Sequence, residues 1–226
     1  MKYLFVNIIL SLTVLSCTSG RKDNAKADST NAAASVSNTG PFDLATLTLK
    51  EKNAPGLIAA RKVKPEPVSD VEQTLLGYEV LKSSNANVLR FGGIDLSGAN
   101  GTNKNHVLFH YDDQTKALAF YVVALYTQQQ ADALLKELEK MGKPQFEKIG
   151  LDKGEVALDL NGDPIERGKE QKQAYRVWEN KKNRLTYFFG ELGSGKDFEA
   201  ELTVLDRSAK YAKDWISFDS LDWYKK

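Results

Sequence analysis

Cysteine occurs once in the 226 residues, at Cys17, and histidine twice, at His106 and His110. A lone cysteine excludes an internal disulfide, so the fold must hold together through its own core. Two histidines leave little material for a metal centre or a histidine-based triad. Charge of one sign is also missing: 31 Lys and Arg stand against 30 Asp and Glu. Such balance argues against a nucleic-acid partner, which wants a basic face, and against a broadly basic membrane-binding surface. Long apolar runs are absent after the N-terminus. The one run, Tyr3 to Leu15, falls short of the roughly 20 residues that a spanning helix needs.

That run carries most of the information about location. Lys2 gives a positive start, Tyr3 to Leu15 is apolar apart from Asn7, Ser11 and Thr13, and Val14-Leu15-Ser16-Cys17 follows. A charged start, a short apolar core and a small residue at the cut site describe an export signal. Val-Leu-Ser-Cys resembles the lipobox of bacterial lipoproteins. The resemblance covers residues 1–17 and implies removal of residues 1–16 and lipidation of Cys17, the new N-terminus. Lys2 is the only charged side chain lost, so the mature side chains balance. A thioether-linked Cys17 is no longer a thiol, which removes thiol chemistry from the mature chain. Three acyl chains, the load implied by this class, exceed the two signals that suffice for stable anchoring. Thr18 after the cysteine, rather than Asp, resembles lipoproteins sent on to the outer membrane.

Residues 18–40 are small and polar, with Val36 the only larger apolar side chain. Such a segment cannot offset its ordering entropy by burial and reads as a flexible tether over 17–40. Its mean reach is roughly 25 Å and its full stretch about 75 Å. Residues 41–226 read as a single domain. Within it, Phe42 to Leu49 suits either an alternating strand or a helix start. Ala54-Pro55-Gly56 reads as a break, and Pro65 and Pro67 as an extended linker.

Strand signals begin near Leu75. Leu75 to Leu81 and Val88 to Leu96 are β-rich, separated by a turn at Ser83 to Asn87. A Gly- and Asn-rich loop, Ser97 to Asn105, precedes the clearest hairpin: His106 to Tyr111, a turn at Asp112 to Thr115, and Lys116 to Tyr126. The arm Ala117 to Leu125 is apolar on both faces and predicts a strand inside a covered sheet. Thr127 with Gln130 suggests a capping box. Ala131, Leu134, Leu135, Leu138 and Met141 recur at helical spacing until Gly142 and Pro144, predicting a helix over about 127–142. Glu155 to Leu160 leads to an Asn161-Gly162 turn. Tyr175 to Glu179 and Arg184 to Gly190 form a second hairpin, Phe198 to Val204 alternates, and Arg207 to Asp214 suits a short helix. The expected fold is α+β: a mainly antiparallel twisted sheet with the helix packed on it, or alternatively a lipocalin-like β-barrel.

Chemical motifs dissolve on inspection. Gly190 to Lys196 fits seven positions of a phosphate-binding loop, but Asp197 stands where a magnesium-holding hydroxyl belongs, and an alternating segment follows instead of a helix. His106 and His110 would lie about 13 Å apart along a strand, too far to share a zinc whose ligands sit at about 2 Å; they read as surface or half-buried strand residues. Asp159 to Asp163 lacks the glycine and glutamate spacing of a calcium loop. Asp112 and Asp113 are solvated neighbours on a hairpin tip. What remains is a set of aromatics, Trp178, Tyr187, Trp215 and Trp223, that serve either as core or as a platform for a glycan or protein partner. The loop that holds Asn100 and Asn103 reads equally well as a ligand contact or as a mobile tip without a function. No cofactor and no metal are expected. The function expected is a non-enzymatic binding or interaction module, lipid-anchored in the bacterial cell envelope, with an envelope protein as partner. The alternatives are a carrier or sensor of a small apolar ligand or glycan, and a hydrolase with a dispersed site.

Overall fold

The structure, a computed structural model, describes residues 41–69, 77–150 and 173–213. Its centre is one seven-stranded antiparallel sheet. The strands are β1 (Tyr78–Ser83), β6 (His106–Asp112), β7 (Leu118–Leu125), β8 (Phe146–Ile149), β9 (Gln173–Asn180), β10 (Leu185–Leu192) and β11 (Glu199–Asp206), in the order β1-β6-β7-β11-β10-β9-β8. Two meanders, β1-β6-β7 and β8-β9-β10-β11, join edge to edge where β7 pairs with β11. Two small hairpins lie between β1 and β6: β2 (Arg90–Phe91) with β3 (Ile94–Asp95), and β4 (Ala99–Asn100) with β5 (Asn103–Lys104). The helix α2 (Gln128–Glu139) carries the chain from β7 in the sheet interior to β8 at the far edge. Among the described residues the sheet is open, with β1 and β8 as its edges, so the fold is α+β and the closed barrel is set aside.

Each face of the sheet has its own apolar layer. On the first, alternate residues such as Phe109, Tyr121, Val123, Trp178, Tyr187 and Leu202 meet Ala131, Leu134 and Leu138 of α2. The N-terminal segment joins them through Phe42, Leu44, Ile58 and Val63. On the second face, Leu108, Phe120, Val177, Phe188 and Leu205 pack with Tyr211 and Ala212. β7 is buried at all eight positions, as its two-faced apolar pattern requires. A β-bulge at Ala119 adjusts its phase: His110 pairs with Phe120 but Tyr111 with Leu118. The extra residue lets the consecutive Ala119 and Phe120 both serve the second face. The Ala119 carbonyl, displaced from the ladder, accepts from the Tyr211 hydroxyl.

Several expectations need correction. Ala54-Pro55-Gly56 opens a helix rather than breaking one. In α1 (Ala54–Ala59), Asn53 caps by accepting from Gly56 N at 2.9 Å, and Pro55 sits in the first turn, where its missing N–H costs nothing. Val88 to Leu96 is no single strand. Gly92 and Gly93 take φ of 58° and 81°, folding the segment into the β2–β3 hairpin. The Thr127 capping box is not made, because Thr127 Oγ1 instead accepts from Asn105 Nδ2 at 2.6 Å. Met141, assigned to the apolar helix face, lies beyond the last helical turn and is exposed. β8 was not signalled, being four residues with only alternate burial. The 106–126 and 175–190 hairpins and the 198–204 strand are where the sequence puts them, while within 207–214 the helix begins at Lys210 rather than at Arg207. Residues 155–162 and the 159–163 loop lie outside the described residues. Among the described residues, no helix is long and apolar enough to cross a membrane.

Candidate functional site

One corner of the sheet, at the end of β1, gathers polar side chains around a hollow. It begins with Pro65-Glu66-Pro67. The two prolines offer no N–H, so Glu66 is the only donor of the three, and it bonds the Lys82 carbonyl at 2.9 Å as an isolated bridge on β1. That bridge places the Glu66 carboxylate over the end of the strand. There Oε1 accepts from Ser84 N at 2.6 Å and from Ser84 Oγ at 2.7 Å. Burial pushes the Glu66 carboxyl up. The two Ser84 hydrogen bonds, with Lys104 and Lys82 nearby, outweigh burial and hold it below the ordinary carboxylate value.

The opposite wall comes from the β4–β5 hairpin and the strands behind it. Thr102, Asn103 and Lys104 form the tip, and His106 and Tyr126 form the back, where their rings lie 6.0 Å apart at 31°. His106 Nδ1 donates to the Lys104 carbonyl at 3.0 Å, which fixes its tautomer and ties the tip to β6. Together with Glu66, Lys82 and Ser84 these residues line an open cavity of about 220 Å³. Glu66 and Lys104 attract across it without closing an ion pair between them. The corner therefore presents groups of both signs, with the Ser84 hydroxyl donating to Glu66 and His106 Nδ1 to the Lys104 carbonyl.

Two other hollows contain charged groups with partners of their own. One of about 410 Å³ at the β9–β10 tip is spanned by an Arg207–Glu179 ion pair at 2.6 Å. Another of about 270 Å³ beside Pro41 contains Arg61, Arg90 and Asp95. There Arg61 lies over the Phe42 ring, Arg90 donates to Gly93 O at 2.8 Å, and Asp95 accepts from Ser97 N at 2.8 Å. A third charged group, Arg176 between Glu147 (2.7 Å) and Glu191 (2.8 Å), rivets β8, β9 and β10 together.

The residues singled out from sequence scatter. Trp178 and Tyr187 face each other across β9 and β10 and are buried at 1% and 3% exposure, so they are core and present no platform. Trp178 Nε1 donates to the Gly142 carbonyl at 3.0 Å, holding the end of the α2 turn. Asn100 is a brace: its Nδ2 donates to the Gly195 and Lys196 carbonyls, both at 3.2 Å. Asn103 is the one candidate that reaches the polar cavity. Trp215, Trp223 and Cys17 lie outside the described residues.

His106 and His110 are both buried, which corrects the surface or half-buried reading. The phosphate-loop lookalike is the β10–β11 connection. Gly193 there has φ 77°, and a Cβ on it would come within 2.2 Å of the Asp197 carbonyl. Asp112 is spent on its own turn, accepting from Thr115 N at 2.7 Å and Thr115 Oγ1 at 2.8 Å. Among the described residues no group of His, Asp and Glu is assembled that could hold a metal. Glu66, Lys82 and Ser84 escaped sequence reasoning. The available signal was a charged residue between two prolines, the pattern of a strap laid along a sheet edge. No protein family, curated protein or solved structure matches the chain.

Proposed function

We propose that this chain is a lipid-anchored protein of the bacterial cell envelope, held at the outer membrane through Cys17, whose domain binds a small polar ligand and does not transform it. The observation that carries the binding reading is the corner cavity in which Glu66 and Lys104 face each other unjoined. Lys104 is exposed and Glu66 half-buried, so both charges are open to a ligand arriving from solvent. The apolar-carrier alternative has less to support it, since this cavity is walled mainly by polar side chains. The dispersed-site hydrolase needs a histidine beside a hydroxyl and a carboxylate in a cleft. His110 stacks on Phe120 in the second apolar layer; His106 does line the cavity that holds Ser84 and Glu66, but its Nδ1 is tied to the Lys104 carbonyl and the Ser84 hydroxyl donates to Glu66.

Two experiments test this. Metabolic labelling with a palmitate analogue should mark the wild-type chain and not Cys17→Ala; equal labelling overturns the anchor. Native mass spectrometry of the chain recovered from its envelope should show a small-molecule adduct that Asn103→Trp, which fills the cavity mouth, loses. Identical adduct profiles for the two proteins, both folded by circular dichroism, overturn the binding reading.

A further inference from the structure

The geometry points to a ligand that carries an ammonium and a carboxylate together, either a free α-amino acid or a short peptide; the inference rests on the binding reading above. Glu66 supplies one half of the recognition. Its Oε1 is occupied by Ser84, which fixes the carboxylate in direction, while Oε2 remains to accept from an ammonium. The prolines on either side restrict the strap's backbone, so little ordering remains to be done on binding. Lys104 supplies the other half, a cation on the facing tip, with the Thr102 hydroxyl and the Asn103 carboxamide beside it as neutral donors to a carboxylate.

Singly charged ligands fit this corner badly. An anion alone would be drawn to Lys104 and Lys82 but would share the cavity with the Glu66 carboxylate. A cation alone would meet the two lysines. Like charges brought together in this way reject the wrong partner. A dipolar molecule satisfies both walls, and the attraction between Glu66 and Lys104 then passes through it. A cavity of about 220 Å³, open to solvent on one side, has room for a small amino acid. The His106 and Tyr126 rings at the back offer the apolar surface that a short aliphatic side chain would take.

The test titrates the full acylated chain, in detergent micelles, with L-alanine, dialanine, N-acetyl-L-alanine and L-alanine methyl ester, followed by calorimetry. Saturable binding of L-alanine or dialanine is expected, with at least tenfold weaker binding of both blocked compounds. The stronger of the two zwitterions identifies the source as free amino acid or peptide. Lys104→Met should weaken the zwitterion at least tenfold and Lys104→Arg should restore it. Glu66→Gln keeps an acceptor for Ser84 but removes the charge, so it should weaken the zwitterion while strengthening N-acetyl-L-alanine. Failure of both zwitterions to bind, or binding of a blocked compound as tight as theirs, overturns the proposal. If that failure accompanies an adduct lost in Asn103→Trp, the ligand class is wrong and the binding reading stands. If no adduct is lost either, both fall.

Discussion

The His110 imidazole lies flat on the Phe120 ring, with centroids 4.1 Å apart and planes 10° from parallel, directly across the β6–β7 ladder. Tyr211 continues the stack on the other side of Phe120, at 5.5 Å and 28°. His110 has no exposure, and burial pushes its pKa down from the usual 6.5 to about 3.

A pH dependence follows. The folded-state value lies below the unfolded one, so between about pH 6.5 and pH 3 the unfolded chain binds the extra proton. This contribution to stability is therefore fully present above the unfolded value and is lost as pH falls through that window. The loss between pH 7 and pH 5 is about 2 kcal/mol, and depends little on how far below 4 the folded value lies. Urea unfolding at the two pH values measures it. His110→Phe keeps an aromatic stack without a titrating group, and should reduce the difference by that amount. An unchanged difference in the variant would mean that His110 is not the group responsible.

Asp43 ties the start of the domain to the β2–β3 hairpin. Its Oδ1 accepts from Ala45 N at 2.9 Å and Gly92 N at 2.8 Å, and its Oδ2 accepts from Gly93 N at 2.6 Å. Asp43→Ala leaves three N–H groups without that acceptor and should cost about 1–3 kcal/mol in a denaturant titration. Asp43→Asn keeps one acceptor oxygen and should fall between wild type and alanine. Wild-type stability of Asp43→Ala would show that water replaces the clamp at no cost.

Legibility in the sequence followed the range of the interactions. β6, β7, β9, β10 and β11 could be read because apolar alternation and polar turns are local properties of the chain. The joining of the two meanders through β7 and β11 could not, since it pairs residues such as Val123 and Leu202 that no local pattern links. Thr127 shows a local signal overruled by a tertiary one: its hydroxyl has the right neighbour for a capping box and goes to Asn105 instead. The binding corner depends on four separate stretches meeting, at Glu66, Lys82 to Ser84, Thr102 to His106 and Tyr126, of which the sequence alone points to Asn103 as a candidate ligand contact and to His106 only as a strand residue. Trp178 and Tyr187 were ambiguous because an aromatic strand residue looks the same in sequence whether it faces core or partner.

Asn105 is the junction that took Thr127 from its cap. It is fully buried, its Nδ2 donates to Leu96 O at 2.9 Å and Thr127 Oγ1 at 2.6 Å, and its Oδ1 accepts from Tyr126 N at 2.7 Å. Asn105→Asp replaces the donating nitrogen by an oxygen that faces the Leu96 carbonyl. The Tyr126 N–H offsets only part of a buried charge set beside that acceptor, so a loss of about 3 kcal/mol or more is expected. Hydrogen exchange should show the damage first in the opening turn of α2. A variant as stable as wild type, with that turn equally protected, would contradict the role given to Asn105.

Trp178 separates the two meanings an aromatic hairpin can have. As core it fills the first apolar layer opposite Tyr187 and anchors the Gly142 carbonyl. Trp178→Ala should then cost about 3–5 kcal/mol by thermal or denaturant unfolding, the usual loss when a buried aromatic leaves a cavity. Trp178→Phe retains most of the volume but drops the hydrogen bond, and should lose the smaller part, about 1–2 kcal/mol. A partner anchor would behave in the opposite way, with stability near wild type. The tryptophan emission of the folded chain gives a second reading of the same question. Trp178→Phe should remove a blue-shifted component, since a side chain at 1% exposure emits from an apolar surround.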